Sequence, residues 1–147
     1  MRLVTYQTDE GNPQVGGLVD GKIYALDGIG DMISLLEEGD AGMARATDAL
    51  AAAQSSGSGV ARDDVTLLPP VLNPEKVVAL GRNYAAHAAE GGSAPPDFPM
   101  LFHKTAGSLL GDRGTVVVTS VTSRPDYECE LAVIIGTVSY THLRAHE

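Results

Sequence analysis

The chain has 147 residues, 44% of them hydrophobic, a net charge of −9 at pH 7 and a single cysteine. The acidity argues against a nucleic-acid partner, which calls for a basic surface, and the hydrophobic fraction argues against wholesale disorder. No run approaches the roughly 20 apolar residues of a membrane span, Met1 to Asn12 carries no apolar signal core, and the lone Cys129 excludes an intrachain disulfide and suits a reducing compartment, so the expected location is the cytoplasm.

With no Trp, five Tyr and two Phe, the core has to rest on Val, Leu, Ile and Ala. Arg2 to Tyr6 reads as a strand. Gln14 to Val19 and Lys22 to Leu26 read as two more, and Asp20-Gly21 between them suits a tight hairpin because Gly accepts positive φ. Asp31 is the expected N-cap of a short helix through Glu38, with Gly39 as its stop. Residues 43–53 are Ala-rich and read as a second helix, and Ser55 to Gly59 as a flexible connector. These elements make a small α+β domain over residues 1–65, marginal on its own at about that size.

After Pro69-Pro70 the texture changes. Lys76 to Leu80 reads as a short buried strand, Asn83 to Glu90 as one or two turns of helix, and Gly91 to Pro99 as a loop. Met100 to Lys104, Thr115 to Val118 and Tyr127 to Ile135 read as strands. There is no internal repeat.

Two constellations carry chemistry. On a strand, side chains alternate, so Glu128 and Glu130 share a face while Tyr127, Cys129 and Leu131 take the other. Two carboxylates this close repel unless a cation lies between them, and a hard divalent ion with oxygen ligands would relieve the repulsion. The plain alternative is two solvated surface acids. His87 and Glu90 stand at i, i+3 on one helix face. A carboxylate beside an imidazole orients it and raises its basicity, as a general base requires. Here too the alternative is a solvated helix face. Lys104 could meet a substrate carboxylate or could simply be solvated, and His103 points away from Phe102.

Taken in order and spacing, Gly81-Arg82-Asn83-Tyr84 with His87 and Glu90, then Pro99 to Lys104, then Asp126 to Gly136 resemble the fumarylacetoacetate hydrolase family. The resemblance covers about residues 65 to 137. It extends more weakly to the start, where Arg2 to Tyr6 and the hairpin resemble the small N-terminal domain of many members. It implies an α+β chain whose second domain, residues 66–137, is the first part of a mixed β-roll. It implies Glu128 and Glu130 as two ligands of Mg²⁺ (or Mn²⁺), His87 and Glu90 as the water-activating dyad, and Lys104 and Arg82 as substrate-binding cations. The implied activity is hydrolysis of a carbon–carbon bond in a 2,4-dioxo acid such as an acylpyruvate, within aromatic catabolism. His87 would take a proton from the attacking water, and the ion would act as a Lewis acid on the 2-oxo acid end. The same residues suit an isomerase or a decarboxylase of 2-oxo or 2-hydroxy-dienoic acids. The implied partner is a small 2-oxo acid, in a homodimeric parent.

Members of the family continue well past the position of Gly136 and supply a third ligand there. The expectation is therefore an N-terminal fragment, inactive by itself or a wholly inert, non-enzymatic piece. Residues 138–147 are polar, do not continue the apolar alternation and read as a non-native tail. His142 and His146 stand at i, i+4, yet no third ligand-bearing segment follows to support zinc. Gly28-Ile29-Gly30 opens like a dinucleotide loop, but Ile33 stands where the third glycine belongs and no βαβ context follows.

Overall fold

The structure, a computed structural model, describes residues 1–9 and 11–135. It divides into two compact units, Met1–Val71 together with the chain from Leu110 onward, and Leu72–Leu109.

The first unit is built on an antiparallel five-stranded sheet. Its strands are β1 (Arg2–Gln7), β2 (Gln14–Val19), β3 (Lys22–Ala25), β4 (Val60–Ala61) and β5 (Thr66–Leu68), in the order β4-β3-β2-β1-β5. The β2–β3 turn forms at Asp20 (φ 47°) and Gly21 (φ 76°). Positive φ at both central residues gives the turn whose twist matches the strands it joins. Two helices, α1 (Met32–Glu37) and α2 (Asp40–Ser56), follow β3. Asp31 caps α1 by accepting from the backbone N–H of Ser34. The Ala-rich helix is longer than its predicted span of 43–53. It runs on through Ser55 and Ser56, whose hydroxyls donate back to the carbonyls of Ala51 and Ala53, and it ends at Gly57, which adopts φ 71°. The expected connector is thereby reduced to its last residues.

Strand alternation sorts the side chains into two layers. Val15, with Leu3, Val19 and Tyr24, packs under the helices against Leu26, Ile29, Met32, Leu35, Ala46 and Leu50. Tyr6 and Ile23, with Val4, Leu18 and Leu67, form a smaller cluster around Val65 on the opposite face. Ile23 and Leu35 are completely buried, and burial of such a side chain contributes about 1.5–3 kcal/mol. The sheet takes in β5, so it reaches past the boundary drawn at residue 65.

In the second unit, β6 (Val77–Gly81) pairs antiparallel with β7 (Met100–Lys104), and α3 (Ala85–Glu90) lies between them in the chain. The strand at Lys76 to Leu80 was expected to be buried, but Val78 is 52% exposed. This sheet has two strands, and Val77, Ala79 and Gly81 form its more covered side while Val78 and Leu80 face outward.

The strands expected at Thr115 to Val118 and Tyr127 to Ile135 are not formed; residues 115–135 contain no helix or strand. Val116, Tyr127, Leu131 and Ile135 are exposed. A strand exists through its ladder to a neighbour, and among the described residues these segments pair with none. Overall the chain is α+β, as expected. The stretch 138–147, read as a tail, lies outside the described residues.

Candidate functional site

Helix α3 carries His87 and Glu90. Four alanines in six residues favour the helix, and its C-terminus is closed by Gly92, whose φ is 70°. The Gly92 N–H donates to the Ala89 carbonyl and the Ser93 N–H to the Ala88 carbonyl, each at 2.9 Å. This pair of bonds satisfies carbonyls that a helix end otherwise leaves open. Ala88 is fully buried and His87 half-buried, while Glu90 is exposed. His87 and Glu90 stand three residues apart, so they share a helix face. The helix begins two residues later than predicted, because Asn83 and Tyr84 precede it in non-helical conformation.

Arg82 is the turning point between β6 and α3. Its φ is 51°, a left-handed conformation that costs a non-glycine residue about 1–2 kcal/mol. Its guanidinium Nη2 donates to the Met100 sulfur at 3.3 Å. On the neighbouring strand, Lys104 lies with Nζ 5.5 Å from the centre of the Phe102 ring. Cations favour that position over an aromatic face. The register sets Met100 opposite Gly81, Phe102 opposite Ala79 and Lys104 opposite Val77, while His103 faces Val78 on the other side. Arg82, His87, Glu90 and Lys104 therefore all belong to the second unit.

Glu128 and Glu130 belong to the chain from Leu110 onward, in the first unit. Both are exposed, and so is Cys129 between them. Without a strand the alternation argument for a shared face loses its basis. Carboxylate oxygens suit a hard divalent cation, so the donor type fits Mg²⁺ or Mn²⁺. The number does not: among the described residues no three His, Cys, Asp or Glu side chains converge.

Sequence reasoning missed two features. One is the contact between Arg82 and Met100, which depends on strand register. The other is a charge network that ties residues 112–113 to residues 62–63. Arg62 pairs with Asp112, and Arg113 Nη2 lies 2.6 Å from Asp63 Oδ1. The Asp63 carboxylate holds the Arg113 guanidinium charged, raising its pKa further. Asp112 also donates its N–H to the Leu67 carbonyl at 2.8 Å. These partners are 50 residues apart, and no local pattern signals them.

Comparison with known proteins bears on both groups. Residues 76–147 match the family described as Fumarylacetoacetate (FAA) hydrolase C-terminal. This segment is a fumarylacetoacetate hydrolase family domain. All six candidate residues, from Arg82 to Glu130, fall inside the matched span. The family is one of enzymes whose members typically bind a divalent metal ion. Among similar proteins, the mitochondrial oxaloacetate tautomerase of Xenopus laevis is 31% identical over 92% of this chain and 44% of its own length. That of Rattus norvegicus is 33% identical over 92% of this chain and 45% of its own. An uncharacterized protein of Pyrococcus abyssi is 46% identical over 44% of this chain and 29% of its own length. The chain thus spans less than half the length of these relatives.

Proposed function

We propose that the protein acts on a small 2-oxo acid by moving a proton at the carbon beside the carbonyl, with oxaloacetate keto–enol tautomerisation as the first reading. The observation that carries it is His87, half-buried on a short closed helix with Glu90 on the same face, in a chain similar to two proteins named oxaloacetate tautomerase. The chemistry is simple. His87 takes a proton from C3 of the keto acid, the C–H electron pair becomes the C2–C3 double bond, and the carbonyl oxygen takes up a proton in turn. Glu90 holds the imidazole in orientation. Arg82 and Lys104 are the cations for the substrate carboxylates. Glu128 and Glu130 supply two carboxylates toward a Mg²⁺ or Mn²⁺ site completed by other residues, and an ion held there would lend Lewis acidity.

The family description supports a second reading, hydrolysis of the carbon–carbon bond of an acylpyruvate. The same base would then deprotonate water. The single, exposed cysteine supports a reducing compartment, and the Xenopus laevis and Rattus norvegicus relatives are named as mitochondrial.

One experiment separates the readings. A protein of the relatives' full length carrying this chain is incubated with Mg²⁺ in D₂O, with oxaloacetate or with an acylpyruvate. Exchange at C3 of oxaloacetate faster than the metal-only blank, lost in His87→Ala, is the expected result. Cleavage of acylpyruvate without accelerated exchange would put hydrolysis first. Neither activity would sink both readings.

A further inference from the structure

The thioether of Met100 lies beside two features, its ladder partner Gly81 and the left-handed turn at Arg82. Register places Met100 directly across from Gly81. A Cβ built on Gly81 would lie 3.5 Å from Met100 Cβ and 3.7 Å from Met100 Cε. The Met100 side chain therefore folds over the place where Gly81 has no side chain. From there its sulfur meets Arg82 Nη2 at 3.3 Å. Arg82 itself is held at φ 51°, a conformation few non-glycine residues adopt. A strained backbone persists where its surroundings hold it, and here the guanidinium of Arg82 lies against Met100 at the start of β7.

We propose that Met100 is a positioning residue for Arg82: its sulfur accepts from the guanidinium and sets where that cation waits for a substrate carboxylate. This rests on the reading of Arg82 as a substrate-binding cation. A flexible thioether suits the task. It fills an irregular gap and follows small movements, and it accepts only weakly, so an arriving carboxylate displaces it at little cost. A carboxylate at position 100 would instead pair with Arg82 and hold it back from the substrate.

The test uses Met100→Leu, which keeps bulk and removes the acceptor, and Met100→Gln, which restores one. In the 147-residue chain, side-chain NMR reads the Arg82 Nε–H and Nη signals. In a protein of the relatives' length carrying the same chain, kinetics with oxaloacetate give KM and kcat. The expected result is that Met100→Leu averages the Arg82 Nη signals and raises KM about 2- to 10-fold, the range of one neutral hydrogen bond. kcat should stay within about twofold, as for a lost binding interaction, and Met100→Gln should recover both readouts. Arg82→Ala serves as the reference. If it raises KM while Met100→Leu leaves the Arg82 signals and KM at wild-type values, the role of Met100 is overturned and that of Arg82 stands. If Arg82→Ala keeps the wild-type KM, the assignment of Arg82 as a substrate cation is overturned, and with it the role of Met100.

Discussion

Asp31 accepts the Ser34 N–H at 3.0 Å on one carboxylate oxygen and the Ser34 hydroxyl at 2.7 Å on the other. These bonds favour the ionised form and lower its pKa. Asp31→Ala is expected to lower stability by about 1 kcal/mol, the usual cost of a lost N-cap, measurable by urea denaturation at pH 7. The sign with pH follows from the lowered value. The contribution is complete above the unfolded carboxylate pKa of about 3.9 and is lost as pH falls through the lower folded value, where wild type and variant should converge. Tyr6 behaves in the opposite direction. It is 3% exposed and donates to Gln14 Oε1 at 2.8 Å, and burial, then the nearby charge of Asp27, raises its pKa. Its neutral form is the one the fold accepts. Stability should therefore fall as pH rises through the ordinary tyrosine value of about 10 toward the raised folded value, and Tyr6→Phe should blunt that loss in an alkaline denaturation series. The N-cap was legible in the sequence because capping is local. The strain at Arg82 was not, because nothing in a single residue type announces φ 51° at an arginine.

Among the elements, α1 and α2 meet at Gly42. A Cβ there would lie 2.2 Å from the Leu35 carbonyl oxygen. Backbone cannot swing aside as a long side chain can, so Gly42→Ala has to push the helices apart. A loss of about 1–3 kcal/mol is expected, as for overpacking, even though Ala is the better helix former. Thermal unfolding monitored by circular dichroism checks this, and an unchanged or raised Tm would show that the helices yield freely. The hairpin at Asp20-Gly21, both helices, β6, α3 and β7 were all legible, because each is fixed by a turn signal or a short-range pattern. The exposure of Val78 was not. An apolar run marks a strand but cannot tell how many faces of it are covered. The helix carrying His87 and Glu90 was readable from spacing, whereas the Arg82–Met100 contact required the pairing of Gly81 with Met100.

For the whole molecule, the apolar segment 115–135 is the outstanding feature. Val117, Val121, Tyr127 and Leu131 are each at least 80% exposed. Alternation at Tyr127 to Ile135 predicts a strand that is not formed: strand formation is a property of the pair, and no partner strand is present among the described residues. That is also why the carboxylates of Glu128 and Glu130 were legible as a motif but not as a formed site. Exposed apolar runs of this kind associate, so the 147-residue chain should show concentration-dependent light scattering, reduced by Val117→Lys. A monodisperse monomer at all concentrations would mean the segment is protected in some other way. His87 is the group proposed to move the proton. The most direct measurement is kcat for oxaloacetate tautomerisation with Mg²⁺, in a protein of the relatives' length carrying this chain, for wild type and His87→Ala. A fall of about 10²-fold or more, as for a lost general base, is the predicted result; a variant turning over within about twofold of wild type would contradict it.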